Sequence, residues 1–501
     1  MRSPWSSVNW WLTWFHRWAG VALCLFFAMW FASGAVLHFV GFPSLSAVDR
    51  HAASAEIDLS RVTISPSEAL ARASAATDLR LVSIGGRPIY LLQEPSGIWV
   101  SVAGDTGDVL PPLTAQDATR IAEQFEGRPS ANTSGPFDYD QWIVHQHFDP
   151  YRPFYRIALN DTDMTDLYVS ATTGEVLQRT TFRQRAWNWS GAVIHWIYFT
   201  PLRKRWSAWN QVVWWVSLVA LLSSAVGTWL GVVRMAANRA AGRKGLSPFR
   251  GWMRWHHVIG LFASVIVVTW MLSGWLSMDH GRLFAHAEAT RQQSLAVSGR
   301  SPSEIAGAIP LAMIRGLPSA TEINFNAVGG RPFVTAYGMN GTARLYFPGE
   351  TPMQGLRQLP EALLLIGLDH LSPGHVYAIA TPDPFDQVYR LAESTAGAAL
   401  FKVDGGADLR VYVDQYSGRL LAVMSASRRD YAWVYYALHT FQFPGLIQHP
   451  VIRTTLILLL LALGFLASVT GVVLSVKRLR REFACTSEIL KPMTQQPRNA
   501  L

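Results

Sequence analysis

The sequence predicts a membrane α-helical protein: four transmembrane helices in two pseudo-symmetric halves, with two α+β domains outside the bilayer. Three observations carry this. Four long stretches lack charge, the basic excess is confined to short segments, and a histidine-bearing motif recurs 240 residues on. The motif reads Trp14-Phe15-His16-Arg17-Trp18-Ala19-Gly20 in the first half and Arg254-Trp255-His256-His257-Val258-Ile259-Gly260 in the second. Each copy heads an apolar run ending at Ser33-Gly34 or Ser273-Gly274, so the His-to-Gly spacing is 18 in both. Repeats in membrane proteins imply a bundle with its site at the repeat interface. A polar residue at a membrane edge needs a reason to be there.

The spans come first. Trp18 to Val48, Trp206 to Val233, Trp255 to Met278 and Thr454 to Val476 contain no Asp, Glu, Lys or Arg. Each exceeds the roughly 20 apolar residues that cross a bilayer. All acidic residues except Glu482 and Glu488 lie in or at the edge of the two long segments between spans. The short segments are basic: Arg2 and Arg17, then Arg234, Arg239, Arg243, Lys244, Arg250 and Arg254, then Lys477, Arg478, Arg480 and Arg481. The positive-inside rule therefore puts both termini and the middle loop in the cytoplasm, with the large segments on the far side. The pI near 9.7 is a topology signal, and nucleic acid is not an expected partner. The start also has the look of a secretory signal ending at Ala32-Ser33-Gly34-Ala35. An uncleaved anchor is the better reading, because its counterpart at residue 255 cannot be a signal.

Eight segments follow: 1–48 with the first span, 49–186 as an α+β domain, 187–235 as interfacial helix and second span, and 236–252 as a basic loop. The third span is 253–280, the second α+β domain 281–430, the interfacial helix and fourth span 431–480, and the tail 481–501. Ser65-Pro66-Ser67-Glu68 and Ser301-Pro302-Ser303-Glu304 spell capping boxes, and Thr114-Ala115-Gln116-Asp117 a weaker one. Leu167–Leu177 and Val411–Leu421 read as hairpins around Gly174 and Gly418, with Ala103–Leu110 a third copy. Gly85-Gly86 and Gly329-Gly330 mark another shared turn. Trp187–Phe199 and Tyr431–Phe443 read as aromatic helices at the outer interface, where Trp and Tyr are favoured.

These motifs, a His-Arg-Trp-x-Gly opening and Tyr-Val-x-x-x-x-Gly-x-[Val/Leu]-Leu hairpins, resemble the PepSY-associated transmembrane proteins of bacterial inner membranes. The resemblance runs from about residue 12 to 480. Its best-understood relatives are similar to ferric-siderophore reductases of the ferrioxamine B type, which carry b-type haems within four spans. That resemblance implies inner-membrane placement, periplasmic outer domains and electron transfer toward a ferric siderophore or other ferric chelate.

Haem iron in a bundle is held by histidines from different helices. His16 and His256 occupy equivalent places at the cytoplasmic edge, where a pseudo-two-fold axis makes them face each other. His195 and His439 form a second matched pair near the outer domains. His38 lies 22 residues after His16, about 33 Å along the helix and close to the same face. It offers an alternative outer site with Met278, His195 or His439, in a two-haem arrangement. His257 is a neighbour pointing elsewhere, and His280 is out of register, as expected of a surface residue. His145, His147, Asp149 and Tyr151, and Asp369, His370 and His375, match no familiar metal spacing. The glycines at 20, 34, 227, 231, 260, 274, 464 and 471 give either close helix packing or room for a flat ring.

Two cysteines, Cys24 and Cys485, and no Cys-x-x-Cys-His exclude covalent haem attachment and an iron–sulfur cluster held by this chain alone. No cytoplasmic segment is long enough for a nicotinamide or flavin domain, so electrons come from membrane quinol or a separate cytoplasmic reductase. The rival expectation is a haem-free sensor or regulator whose outer domains bind peptide or inhibit a protease.

Overall fold

The computed structural model describes residues 4–73, 75–279, 283–284, 288–350, 355–371, 373–380, 398–404 and 409–490. His280 lies outside them. Two compact units emerge: 1–41, 187–283 and 431–501 form one, and 42–186 with 284–430 the other.

The first unit is a helical bundle. Its long helices are Pro4–Phe39, Trp206–Ala240, Gly251–Ser277 and Pro450–Leu490, called the first to fourth spans. All four are long and apolar enough to cross a membrane. The first and third spans both pack against the second and fourth, which sets them across the bundle from each other. Leu23, Phe31, Ala220, Ile266, Trp270, Met271, Ile457 and Leu461 fill the middle. Phe31 lies so close to Gly464 that no side chain fits there.

The aromatic segments before the second and fourth spans carry a feature that apolar patterning does not announce. Each winds into a π-helical stretch, Trp189–Val193 against the first span and Trp433–His439 against the third. Such turns place one extra residue in the helix and are frequent at functional sites. Two residues beyond His195 and His439, Ile197 and Phe441 adopt φ of 55° and 56°. A β-branched or bulky residue is strained in that left-handed region, so the fold must hold it there. Trp209 donates its indole N–H to the Trp196 carbonyl at 2.9 Å. Arg453 donates to the carbonyls of Thr440 and Phe441 at 2.7 and 3.1 Å.

The second unit is α+β. Its strands are β1 (Asp78–Ile84), β2 (Arg87–Gln93), β3 (Trp99–Ala103), β4 (Ser130–Phe137), β5 (Phe154–Leu159), β6 (Asp166–Ser170) and β7 (Val176–Thr180), followed by their partners in the second half. Those are β8 (Glu322–Val328), β9 (Arg331–Tyr337), β10 (Ala343–Tyr346), β11 (Val376–Ile379), β12 (Ala398–Asp404), β13 (Arg410–Asp414) and β14 (Leu420–Met424). The two soluble segments are joined by one six-stranded sheet, β10-β9-β8-β1-β2-β3, in which β1 and β8 pair antiparallel with Leu81 opposite Ile323. Two further sheets, β4-β5-β6-β7 and β11-β12-β13-β14, belong one to each segment.

Local chemistry explains the elements. The capping boxes at Ser65, Thr114 and Ser301 all form, and Thr290 with Gln293 adds another. Gly174 and Gly418 take φ of 75° and 70° in the β6–β7 and β13–β14 turns, a region open to glycine at no steric cost. At the third such turn Ala103 closes on Asp108, but only a single bridge, Val102 to Val109, follows.

A buried ionic cluster sits beside the β1–β8 seam. Arg80 makes a bidentate contact with Glu175 at 3.0 and 3.1 Å and reaches Glu322 at 3.5 Å. Arg50 touches Glu175 at 3.2 Å and Glu322 at 3.6 Å. Trp99 lies under the Arg80 guanidinium at 4.7 Å. Burial pushes the Glu322 carboxyl upward, but Arg80, Arg50 and His51 outweigh it and hold it below its usual range. His51 is stacked on Tyr337 with Nδ1 3.2 Å from the Thr321 hydroxyl, and burial lowers its pKa.

Candidate cofactor site

The bundle brings the matched histidines together in two pairs. His16 on the first span and His256 on the third have ring centres 6.4 Å apart, with planes at 33°. His195, two residues past its π-helical stretch, and His439, the last residue of its own, lie 6.5 Å apart with planes at 69°. By residue exposure these four histidines are half-buried, and the neighbour His257 is buried.

Each ring is anchored by a hydrogen bond at Nδ1. His16 Nδ1 lies 3.0 Å from the Ser223 carbonyl, which can only accept. His195 Nδ1 is 3.0 Å from the Ser33 hydroxyl, whose own proton goes to the Met29 carbonyl at 2.6 Å. His439 Nδ1 is 3.0 Å from the Ser273 hydroxyl, which donates to the Trp270 carbonyl. His256 Nδ1 is 2.9 Å from the Thr470 hydroxyl, which donates to the Ala467 carbonyl. His16 therefore carries hydrogen on Nδ1, and the other three rings make their contacts through the same nitrogen, which leaves Nε2 outside these hydrogen bonds in all four. A polar partner on the far nitrogen is the arrangement that orients a metal-binding imidazole.

Glycines make this possible. A Cβ at Gly227 would stand 2.5 Å from His16 Cε1, and one at Gly274 3.3 Å from His439 Cε1. At Gly34 and Gly471 the distances to the rings of His195 and His256 are 3.7 and 3.6 Å. Each histidine thus rests against a glycine of a neighbouring helix. Gly20 and Gly260, one turn after His16 and His256, would place a Cβ with no neighbour inside 4 Å.

The separations fit a metal. Two imidazole nitrogens at about 2.0–2.1 Å on opposite sides of one ion put their ring centres roughly 6 Å apart. The two pairs are also well separated from each other. From His16 to Ser33, and from His256 to Ser273, is 17 residues, or about 25 Å of helix. That approaches the ~30 Å hydrocarbon thickness of a bilayer. The repeated spacing of 18 is thereby explained, since the serine–glycine step on each span receives the histidine of the other pair.

His38 stands apart. Its Nε2 lies 2.9 Å from the Thr454 hydroxyl, and its ring meets Phe39. His257 Nε2 donates to the Gly231 carbonyl at 3.0 Å. In the other unit His145 and His147 stack on each other, Asp149 pairs with Arg152, and Asp369 accepts from the Gly374 N–H. Among the described residues no group of three His, Cys, Asp or Glu side chains is placed to hold a metal ion.

Indole N–H groups mark one asymmetry. Trp30 donates to the His195 carbonyl at 2.9 Å. Its counterpart Trp270, packed against Phe31 and Phe441, buries its N–H with no protein acceptor.

Sequence reading identifies the paired histidines but not the acceptors Ser33, Ser273, Ser223 and Thr470. The signal for two of them was visible as the repeated Ser-Gly step. A family model described as the PepSY-associated TM region matches residues 13–331. No curated protein matches the chain.

Proposed function

The chain belongs to the PepSY-associated transmembrane family, and from that premise we propose that it is a bacterial inner-membrane protein binding two b-type haems and passing electrons outward to a ferric siderophore or other ferric chelate. His16 and His256 would hold one haem near the cytoplasmic edge, and His195 and His439 the other near the outer face. Bound haem supplies one-electron redox chemistry that amino-acid side chains lack. The observation that carries the reading is the pair of ring separations, 6.4 and 6.5 Å, with every ring anchored through Nδ1. Interfacial histidines bonded to lipid headgroups have no reason to meet in twos.

The chain's own residues would do three things. The histidines ligate, the serine and threonine hydroxyls and the Ser223 carbonyl orient them, and the apolar middle around Phe31, Trp270 and Leu461 excludes water. Membrane quinol or a cytoplasmic reductase would donate the electrons, and each electron delivered converts one Fe(III) chelate to Fe(II).

The test is purification from haem-replete cells followed by reconstitution in vesicles. Soret and dithionite-sensitive α bands, with Fe(II) appearing on the outer side when electrons are supplied inside, are expected. A colourless protein would overturn the reading and favour a haem-free sensor.

A further inference from the structure

The two histidine pairs differ in their ring planes. At the inner pair His16 meets the Ser223 carbonyl and His256 the Thr470 hydroxyl, next to Gly227 and Gly471 respectively. Those planes lie 33° apart. At the outer pair the serines match, yet the planes lie 69° apart.

The difference traces to one position. Tyr435 stacks on His439 at 5.8 Å with an interplanar angle of 14°. Tyr431 stacks in turn on Tyr435, and its hydroxyl donates to the Ser277 carbonyl at 3.2 Å. The result is a ladder anchored on the third span that fixes the plane of His439. In the first half, the residue four before His195 is Gly191, which has no ring to offer and instead lets Val36 approach closely. His195 thus has the Ser33 hydroxyl with no ring stacked on it from that position, while His439 has Ser273 and a tyrosine.

We propose that Tyr435 is a positioning residue that holds His439 crossed against His195, so that this chain presents one near-parallel and one crossed pair of axial imidazoles. The inference rests on the haem reading above. Hydrogen bonds to its ligating imidazoles are one means by which a protein tunes a bound haem, and the angle between the two rings sets its magnetic signature. Crossed imidazole planes leave two iron d orbitals nearly degenerate and give a strongly anisotropic low-spin signal with one prominent low-field feature. Near-parallel planes split those orbitals and give an ordinary three-line rhombic signal.

The experiment is low-temperature electron paramagnetic resonance of the oxidised full-length protein in detergent, with haem counted in the same samples. The wild type is expected to show both signals in equal amounts. Tyr435→Leu removes the stack: the low-field feature should be lost or shifted toward the rhombic form, with the inner signal unchanged. Tyr435→Phe keeps the ring and should keep the feature. If Tyr435→Leu loses one haem outright while Tyr435→Phe retains the crossed signal, the positioning role stands as well. Two rhombic signals in the wild type, an unchanged low-field feature in Tyr435→Leu, or equal loss in both variants would overturn the proposal. Absence of haem from the wild type would instead sink the underlying reading.

Discussion

Duplication leaves different marks on the two units. In the membrane unit it brings like residues face to face: His16 with His256, His195 with His439, Ser33 beside one ring and Ser273 beside the other. In the soluble unit it pairs β1 with β8, but the polar residues at that seam are unlike. Arg80 lies opposite Asn324, and Glu175 follows Gly174 where Arg419 follows Gly418. The membrane halves keep the same chemistry, and the soluble halves keep only the shape. A symmetric ligand pair needs identical donors at both ends, whereas a sheet junction needs only complementary ones.

The comparison can be broken at either unit. The largest effect is expected from Arg80→Ala, which leaves Glu175 and Glu322 buried beside Arg50 alone. Removing one partner from a buried ion pair typically costs about 3–5 kcal/mol. Limited proteolysis should then cut within 42–186 and 284–430 while any absorption from the bundle is unaltered. A parallel loss of that absorption would mean the units are not separable as described.

Gly227→Ala is next. Its methyl group would stand 2.5 Å from His16, so the ring or the helix must shift. Overpacking of this kind costs about 1–3 kcal/mol, and haem should be lost at the inner pair more readily than in Gly471→Ala, whose methyl would meet His256 at an ordinary 3.6 Å. Equal retention in the two variants would show that close contact at Gly227 does not set the ligand.

Acid gives the smallest and most selective effect. Burial lowers the His51 pKa from the usual 6.5, so its contribution to stability is complete above that value and declines as pH falls below it. Glu322 is held below its usual 4.5, so its contribution persists to lower pH and is lost as pH falls through that depressed value. Thermal unfolding of the soluble unit should therefore weaken progressively from mildly acidic pH downward. In Glu322→Gln the lower part of that loss should disappear, and an unchanged profile would remove Glu322 from the account.

Much of this fold is legible in the chain. Uncharged runs mark the spans, Ser-Pro-Ser-Glu marks helix starts, and glycine six residues after the tyrosine of each Tyr-Val hairpin marks its turn, because these are local rules. The matched histidines are legible because the repeat preserves their spacing. What escaped is long-range. Nothing local in β1 or β8 says that the two will pair, and Arg80 finds Glu175 95 positions further along the chain. The positive φ at Ile197 and Phe441 is accompanied by hydrogen bonds from Trp209 and Arg453 on the following spans, which no local pattern announces. Ser33 could be counted in the sequence, but its role depends on where His195 arrives.

Haem content per chain tests the central claim most directly. Purified protein should carry two equivalents of non-covalent haem b, falling to one in His256→Ala and to one in His439→Ala. Two equivalents retained in both variants, or none in the wild type from haem-sufficient cells, would contradict it.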